Sequence, residues 1–171
     1  MSKIDVLITE EEILNKIQEL AEKINKDYVG KKVTVICTLK GAVMFTVDLI
    51  KKLNCVDQID FIKASSYGSS TESSGQVNIK KDIDVLIEGK DILLIEDIVD
   101  TGITLKYLIE HLKNKNVSSF RTCTLLDKPE RRKVEIKADY TGFEIENKFI
   151  VGYGLDYNEQ YRNLPYIGIL N

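Results

Sequence analysis

An α/β fold, with a mostly parallel, doubly wound sheet and helices on both faces, is what this 171-residue sequence predicts. Two observations carry that prediction. The runs Val33–Leu39 and Ile92–Ile95 are short and apolar on both faces, as strands buried in a parallel sheet are. Each is followed by a loop, a segment of helical spacing and another strand-like run, so two β-α-β units stand in succession. Ligands of such sheets sit beyond the carboxyl ends of the strands, which directs attention to the loops after Leu39, Ile95, Leu126 and Val151.

The elements follow in order. Thr9-Glu10-Glu11-Glu12 has the form of a capping box, and Ile13, Ile17, Leu20, Ala21 and Ile24 then recur at helical spacing, which predicts an amphipathic first helix. After the Val33–Leu39 strand, Lys40-Gly41 turns the chain into a helix over Ala42–Leu53, and Gln58–Tyr67 reads as the next strand. Gly68–Gly75 has no apolar residue, which leaves a mobile functional loop and a passive linker equally open. Ile79–Leu86 is read as a further strand and Glu88-Gly89-Lys90 as a turn. The second unit then runs from the Ile92–Ile95 strand through a loop to Thr104, a helix to about Asn114 and a strand over Phe120–Leu126.

Composition narrows the function classes. The chain is 43% hydrophobic and 30% charged with signs interspersed, and its net charge of −3 offers no general attraction to nucleic acid or anionic membranes. No segment approaches transmembrane length and no leader-like apolar run opens the chain, so a cytoplasmic protein without nucleic-acid or membrane partners is expected. The three cysteines, Cys37, Cys55 and Cys123, are far apart and lie in apolar runs, as reduced structural thiols do. No repeat or linker divides the sequence, so residues 1–171 are expected to form a single domain.

The chemistry is concentrated where the Ile92-Leu93-Leu94-Ile95 strand runs into Glu96-Asp97-Ile98-Val99-Asp100-Thr101-Gly102-Ile103-Thr104. Three acids at one strand end repel one another, which makes sense if they face cations or sugar hydroxyls. Thr101–Thr104 is a small, hydroxyl-rich turn at a helix start, able to offer N–H groups, hydroxyls and the positive end of the helix dipole to a phosphate. Any one of these residues alone reads as a loop acid or an N-cap; the assembled string fits a phosphorylated sugar. A P-loop is excluded for want of Gly-Lys-Ser/Thr, and a Rossmann fingerprint for want of glycines.

This string resembles the ribose-phosphate signature of type I phosphoribosyltransferases. Leu39-Lys40-Gly41, Ser66-Tyr67, Leu126-Asp127-Lys128-Pro129, Phe149–Asp156 and Tyr161-Arg162-Asn163-Leu164-Pro165 follow in the order seen in the short bacterial hypoxanthine-guanine members, a resemblance that runs from about Thr9 to the C-terminus. It implies a small hood formed by the terminal segments, and transfer of a phosphoribosyl group from 5-phosphoribosyl-1-pyrophosphate to a 6-oxopurine. It further implies Mg2+ and a homodimer or homotetramer. By the same resemblance Glu96 and Asp97 hold the ribose hydroxyls and, with Asp156, magnesium; Asp100 exchanges a proton with purine N7; and Thr101, Gly102, Ile103 and Thr104 bind the 5′-phosphate. Lys40, Gly41 and Arg162 contact pyrophosphate, with the Lys40–Gly41 peptide able to turn cis. Lys128 bonds the 6-oxo group, Phe149 stacks on the purine, backbone around Ile150 and Asp156 reads its edge, and Ser66 and Tyr67 lead into a lid. Taken singly, Lys40 and Lys128 are ordinary surface lysines, Phe149 a core aromatic and Asp156 a turn residue.

Two other readings have their own signatures. Enzymes for adenine, xanthine or orotate share the Asp-Thr-Gly-x-Thr string, but Lys128 and the Phe149–Asp156 segment speak against them. An RNA-binding regulator on the same fold needs a basic face, and the sequence has no basic cluster beyond Arg131-Arg132-Lys133. His111 has no nucleophile or second histidine arranged around it and is read as structural.

Overall fold

The computed structural model describes residues 3–66 and 76–171. A short strand, β1 (Ile4–Ile8), leads into α1 (Glu10–Asp27), whose start is capped reciprocally. The Thr9 hydroxyl accepts the Glu12 N–H at 3.2 Å, and the Glu12 carboxylate accepts the Thr9 N–H at 2.8 Å. Ile13, Ile17, Leu20, Ala21 and Ile24 form the buried face, as their spacing requires. There follow β2 (Val33–Thr38), α2 (Val43–Ile50), β3 (Val56–Ser66), β4 (Val77–Lys81), β5 (Asp91–Val99), α3 (Ile103–Lys113) and β6 (Ser119–Asp127). A 3-10 turn at Pro129–Arg131, β7 (Tyr140–Glu144), β8 (Ile150–Val151) and β9 (Ile167–Leu170) complete the chain.

The main sheet has the order β4-β3-β2-β5-β6-β7 and is parallel at every pairing except β3 with β4. Side-chain alternation along its central strand divides the core in two. Leu93 and Ile95 pack in a cluster with Ile17, Phe45 and Leu49 of α1 and α2, whereas Ile92 and Leu94 join Leu105, Leu108 and Leu112 of α3. Helices therefore cover both faces, as the two-sided apolar strands predict. The hood is a separate antiparallel sheet in which β9 lies between β1 and β8, so the two ends of the chain close one another.

Several expectations shift in detail. The strand read over Ile79–Leu86 is β4, Val77–Lys81, and Asp82–Leu86 leaves the sheet. The cause is Asp60 on β3, a buried carboxylate that accepts the Asp84 and Val85 N–H groups at 2.6 and 2.9 Å and that of Phe61 at 2.7 Å. The backbone bonds that would extend β4 go to this side chain instead. The helix after the acidic string begins at Ile103 with Gly102 as its N-cap, so Thr101 is not the cap. Tyr67 and the Gly68–Gly75 loop lie outside the described residues. His111 has a structural partner, its Nε2 lying 2.9 Å from Asp82 Oδ2. All three cysteines are free and buried, and burial pushes the Cys37 thiol up to about 11, which keeps it inert. No helix among the described residues is long and apolar enough to cross a membrane.

Burial alone raises the Asp60 carboxyl, but the N–H groups of Val85, Phe61 and Asp84 outweigh it and hold the group below the usual aspartate range. A carboxyl depressed in the folded state contributes stability above its unfolded pKa of about 3.9, and that contribution is lost as pH falls through the folded value. Asp60→Asn is expected to cost about 1–3 kcal/mol in urea unfolding at pH 7, since its amide turns donors toward donors. The gap to the unsubstituted protein should narrow at pH 3; an equal gap at both pH values contradicts the assignment.

Candidate active site

The chain turns outward from β2 to β3 in one direction and from β5 to β6 and β7 in the other, so the sheet has its switch point between β2 and β5. A cleft of about 230 Å³ opens there, walled by Thr38 and Gly41 on one side and by Glu96, Asp97, Asp100 and Thr101 on the other. Strand β5 continues through the acids to Val99, so Glu96 and Asp97 project from opposite sides of a strand with β2 and β6 alongside. Glu96 is buried, and the Thr38 hydroxyl lies 2.9 Å from its Oε2 and 2.7 Å from the Ile95 carbonyl, serving one acceptor at a time. Burial pushes the Glu96 carboxyl well above its ordinary range, with the Asp97 charge adding to the effect. Burial raises Asp97 as well, against the Ile98 N–H, 2.8 Å from Oδ1, and the charge of Arg162. A Cβ on Gly41 would lie 1.8 Å from Asp97 Oδ2, so any larger residue there pushes the carboxylate aside. A Cβ on Gly154 would lie 2.1 Å from the Gly41 carbonyl oxygen, so the loop after β8 presses on the loop after β2.

The Thr101–Thr104 turn is held from outside. Gly102 has φ +83°, a left-handed conformation that favours glycine, and it begins α3 without any side-chain cap. Arg132 donates to the Asp100 carbonyl at 2.6 Å and forms a short ion pair with buried Asp127 at the end of β6. The Lys128 and Lys133 N–H groups donate to the Val99 and Thr101 carbonyls, each at 2.9 Å. The loop is thereby fastened to residues 127–133, which the sequence reading took only as a purine contact and a basic run. The Asp100 carboxylate accepts from Arg131 Nε at 2.9 Å.

Lys128 is buried and donates from Nζ to the Lys148 carbonyl at 2.7 Å, which sets it beside Phe149 in sequence. Burial lowers its ammonium pKa, while the Asp100 charge acts in the opposite sense. Phe149, expected as core on its surroundings alone, is 54% exposed and meets Tyr157 edge to face at 5.6 Å. Ile150 is buried and pairs with Ile169 across β8 and β9. Asp156 and Glu159 both meet Arg162 Nη2 at 3.1 Å, Arg162 Nη1 donates to the Gly154 carbonyl at 2.7 Å, and Lys40 Nζ donates to Glu159 at 2.7 Å. The cis peptide is Leu39–Lys40, one bond before the Lys40–Gly41 peptide that the resemblance singled out. Ser66 ends β3, and Ala64 two residues earlier lines the cleft.

Thr38, Asp127, Arg132 and Glu159 are the contributors that sequence reasoning missed. Asp127 stood inside a quoted motif and Arg132 inside a basic run, but no local pattern marks their pairing. Arg132→Leu should leave Asp127 buried without a counter-charge and cost about 3–5 kcal/mol in chemical unfolding. Adding Asp127→Asn should recover part of that loss; strictly additive losses would show that the pair does not act as a unit.

Residues 7–158 match the model of the phosphoribosyl transferase domain. The hypoxanthine-guanine phosphoribosyltransferase of Bacillus subtilis (strain 168) is 53% identical over 165 residues, 96% of this chain and 92% of the relative. That of Streptococcus thermophilus (strain CNRZ 1066) is 51% identical over the same shares. Among solved structures, a hypoxanthine-guanine phosphoribosyltransferase (hpt-2) from Bacillus anthracis with a HEPES molecule in the active site superposes with a TM-score of 0.95 at 48% identity, covering 100% of both chains. With an acid pair and a clamped phosphate-type turn at the switch point of a parallel sheet, and with these similarities along nearly its whole length, the chain belongs to the phosphoribosyl transferase family.

Proposed function

We propose that this chain acts in purine salvage, transferring the 5-phosphoribosyl group of 5-phosphoribosyl-1-pyrophosphate to hypoxanthine or guanine with release of pyrophosphate. The observation that carries the reading is the cleft in which Glu96, Asp97, Asp100 and the Thr101–Thr104 turn converge; the reading assigns Lys128 and Phe149 to the purine and Lys40 and Arg162 to pyrophosphate. The relatives' shared activity supports it. The 5′-phosphate takes the N–H groups and hydroxyls of Thr101, Gly102, Ile103 and Thr104, and Glu96 and Asp97 accept from the ribose hydroxyls. Lys40, Gly41 and Arg162 receive the pyrophosphate. Phe149 stacks on the base, whose edge meets backbone around Ile150 and Asp156. As the bond from ribose C1 to pyrophosphate breaks and the bond to purine nitrogen forms, Asp100 takes the proton that the base loses.

Mg2+ belongs to the same proposal, with Glu96, Asp97 and Asp156 as its protein-side oxygens. The donor set fits: a buried and a half-buried carboxylate, both with negative charge disfavoured by their surroundings, are eased by a cation. No cluster of three acidic, histidine or cysteine ligands stands ready among the described residues. That suits an ion that keeps waters and takes oxygens from its phosphate ligand. When bound, the ion offsets negative charge on the departing pyrophosphate. Residues 1–171 acting as one domain, assembly as a homodimer or homotetramer, a cytoplasmic setting and a lid led by Ser66 and Tyr67 complete the reading.

Asp100→Asn should keep much of the binding and lower kcat by roughly 10²–10⁴; near-normal turnover removes Asp100 from the proton transfer. Base selectivity tests the function itself. The Lys128 ammonium offers only donors, so it satisfies a 6-oxo group and meets a 6-amino group donor to donor. Adenine should therefore be disfavoured by about 10⁴ in kcat/KM, and Lys128→Gln should slow hypoxanthine while narrowing that gap. Equal use of adenine and hypoxanthine by the unsubstituted enzyme would point to an adenine enzyme instead.

A further inference from the structure

Glu159 belongs to no role derived above, yet it is tied to both cations of the pyrophosphate side. Its Oε2 accepts from Lys40 Nζ at 2.7 Å and its Oε1 lies 3.1 Å from Arg162 Nη2. The backbone that carries it is held in an unusual shape. Asn158, Glu159 and Tyr161 have φ of 50°, 63° and 76°, left-handed values that non-glycine residues seldom adopt. Asp156 maintains the turn by accepting the Glu159 N–H at 2.9 Å, and Tyr157 and Gln160 close it with mutual backbone bonds of 3.2 and 3.0 Å. A costly turn thus presents one carboxylate across two segments 119 residues apart in sequence.

From this geometry we infer that Glu159 is an internal stand-in for pyrophosphate, bridging Lys40 and Arg162 in the free enzyme and leaving when pyrophosphate, free or as part of 5-phosphoribosyl-1-pyrophosphate, takes the same two cations. The inference rests on the proposed assignment of Lys40 and Arg162 to the pyrophosphate side. Lys40 has donors enough for two anions, but an incoming phosphate meets like charge if the carboxylate stays, which favours its departure. The bridge is also weak enough to yield. Lys40 and Glu159 are 49% and 64% exposed, and exposed ion pairs hold by no more than about a factor of five each. Glu159 would therefore set affinity for pyrophosphate and for the phosphorylated sugar, keeping product release from becoming slow, without touching the base.

The test is calorimetric titration of the full-length protein with inorganic pyrophosphate and excess magnesium. Glu159→Gln should bind about three- to tenfold more tightly than the unsubstituted protein, since displacing the bridge no longer opposes binding. Glu159→Asp keeps the charge but is one methylene short of reaching both cations, and it too should bind more tightly. In steady-state assays KM for 5-phosphoribosyl-1-pyrophosphate should fall in Glu159→Gln while KM for hypoxanthine stays put. Unaltered or weaker pyrophosphate binding in Glu159→Gln overturns the inference. Tighter binding in Glu159→Gln with unaltered binding in Glu159→Asp also overturns it, because the effect then belongs to net charge alone. Lys40→Ala separates the two levels. If it binds pyrophosphate as well as the unsubstituted protein, or the latter does not bind at all, the assignment of the subsite fails and the inference falls with it. Weakened binding in Lys40→Ala beside an unaltered Glu159→Gln leaves the subsite standing and overturns the bridge alone.

Discussion

Two adjacent carboxylates at the end of a buried central strand are an unfavourable thing to fold. Glu96 and Asp97 lose hydration and feel like charge, and burial pushes both carboxyls up. The surrounding structure holds them there. β2 pairs with β5 as far as Ile95 and β6 extends it through the acids, Thr38 hydrogen-bonds Glu96, and Gly41 leaves room for the Asp97 carboxylate. This placement brings two carboxylates to the lining of the cleft, where the proposed function has a cation and sugar hydroxyls relieve their charge. The proposed function gives the phosphates at either end of that sugar to the cationic groups Lys40 and Arg162 and to the N-terminal end of α3.

The topology makes the rest follow. At the switch point the loops after β2 and β5 come side by side, and β6 delivers Asp127 and Lys128 next to them. Arg132 then joins the loops after β5 and β6 by bonding the Asp100 carbonyl and Asp127 together. The Thr101–Thr104 turn, Asp100 and Lys128 thus sit on one fastened unit, so a small displacement of one carries the others. The hood is built differently, from the two ends of the chain, with Phe149 directly before its strand β8 and Asp156 paired with Arg162 in the loop that follows.

What could be read from the sequence was local chemistry. The capping box of α1 depends on residues three apart, and its buried face on helical spacing, so both were legible. The acidic string was legible because an apolar run gives way abruptly to charge at a strand end. The end of β4 was not, since it is decided by Asp60, which captures N–H groups 24 and 25 residues away. Arg132 looked like part of a basic surface because the turn at Pro129–Arg131 folds it back on Asp127, and the parallel pairing of β5 and β6 alone brings the Asp100 carbonyl to it. Phe149 was assigned to the purine by resemblance and to the core by its neighbours; its exposure contradicts the second. The cis bond fell one residue from where the resemblance put it, a detail of backbone geometry that side-chain patterns do not encode.

The central claim is that the acid pair and the phosphate turn form one site for a magnesium-bound phosphorylated ribose that reacts with a 6-oxopurine. It is tested most directly by following nucleotide and pyrophosphate formation from 5-phosphoribosyl-1-pyrophosphate and hypoxanthine, with magnesium and then with the metal removed by chelation. The account predicts equimolar nucleotide and pyrophosphate with magnesium, and loss of both on chelation with recovery when the metal is restored. Undiminished turnover without magnesium, or no nucleotide from either hypoxanthine or guanine, would contradict it.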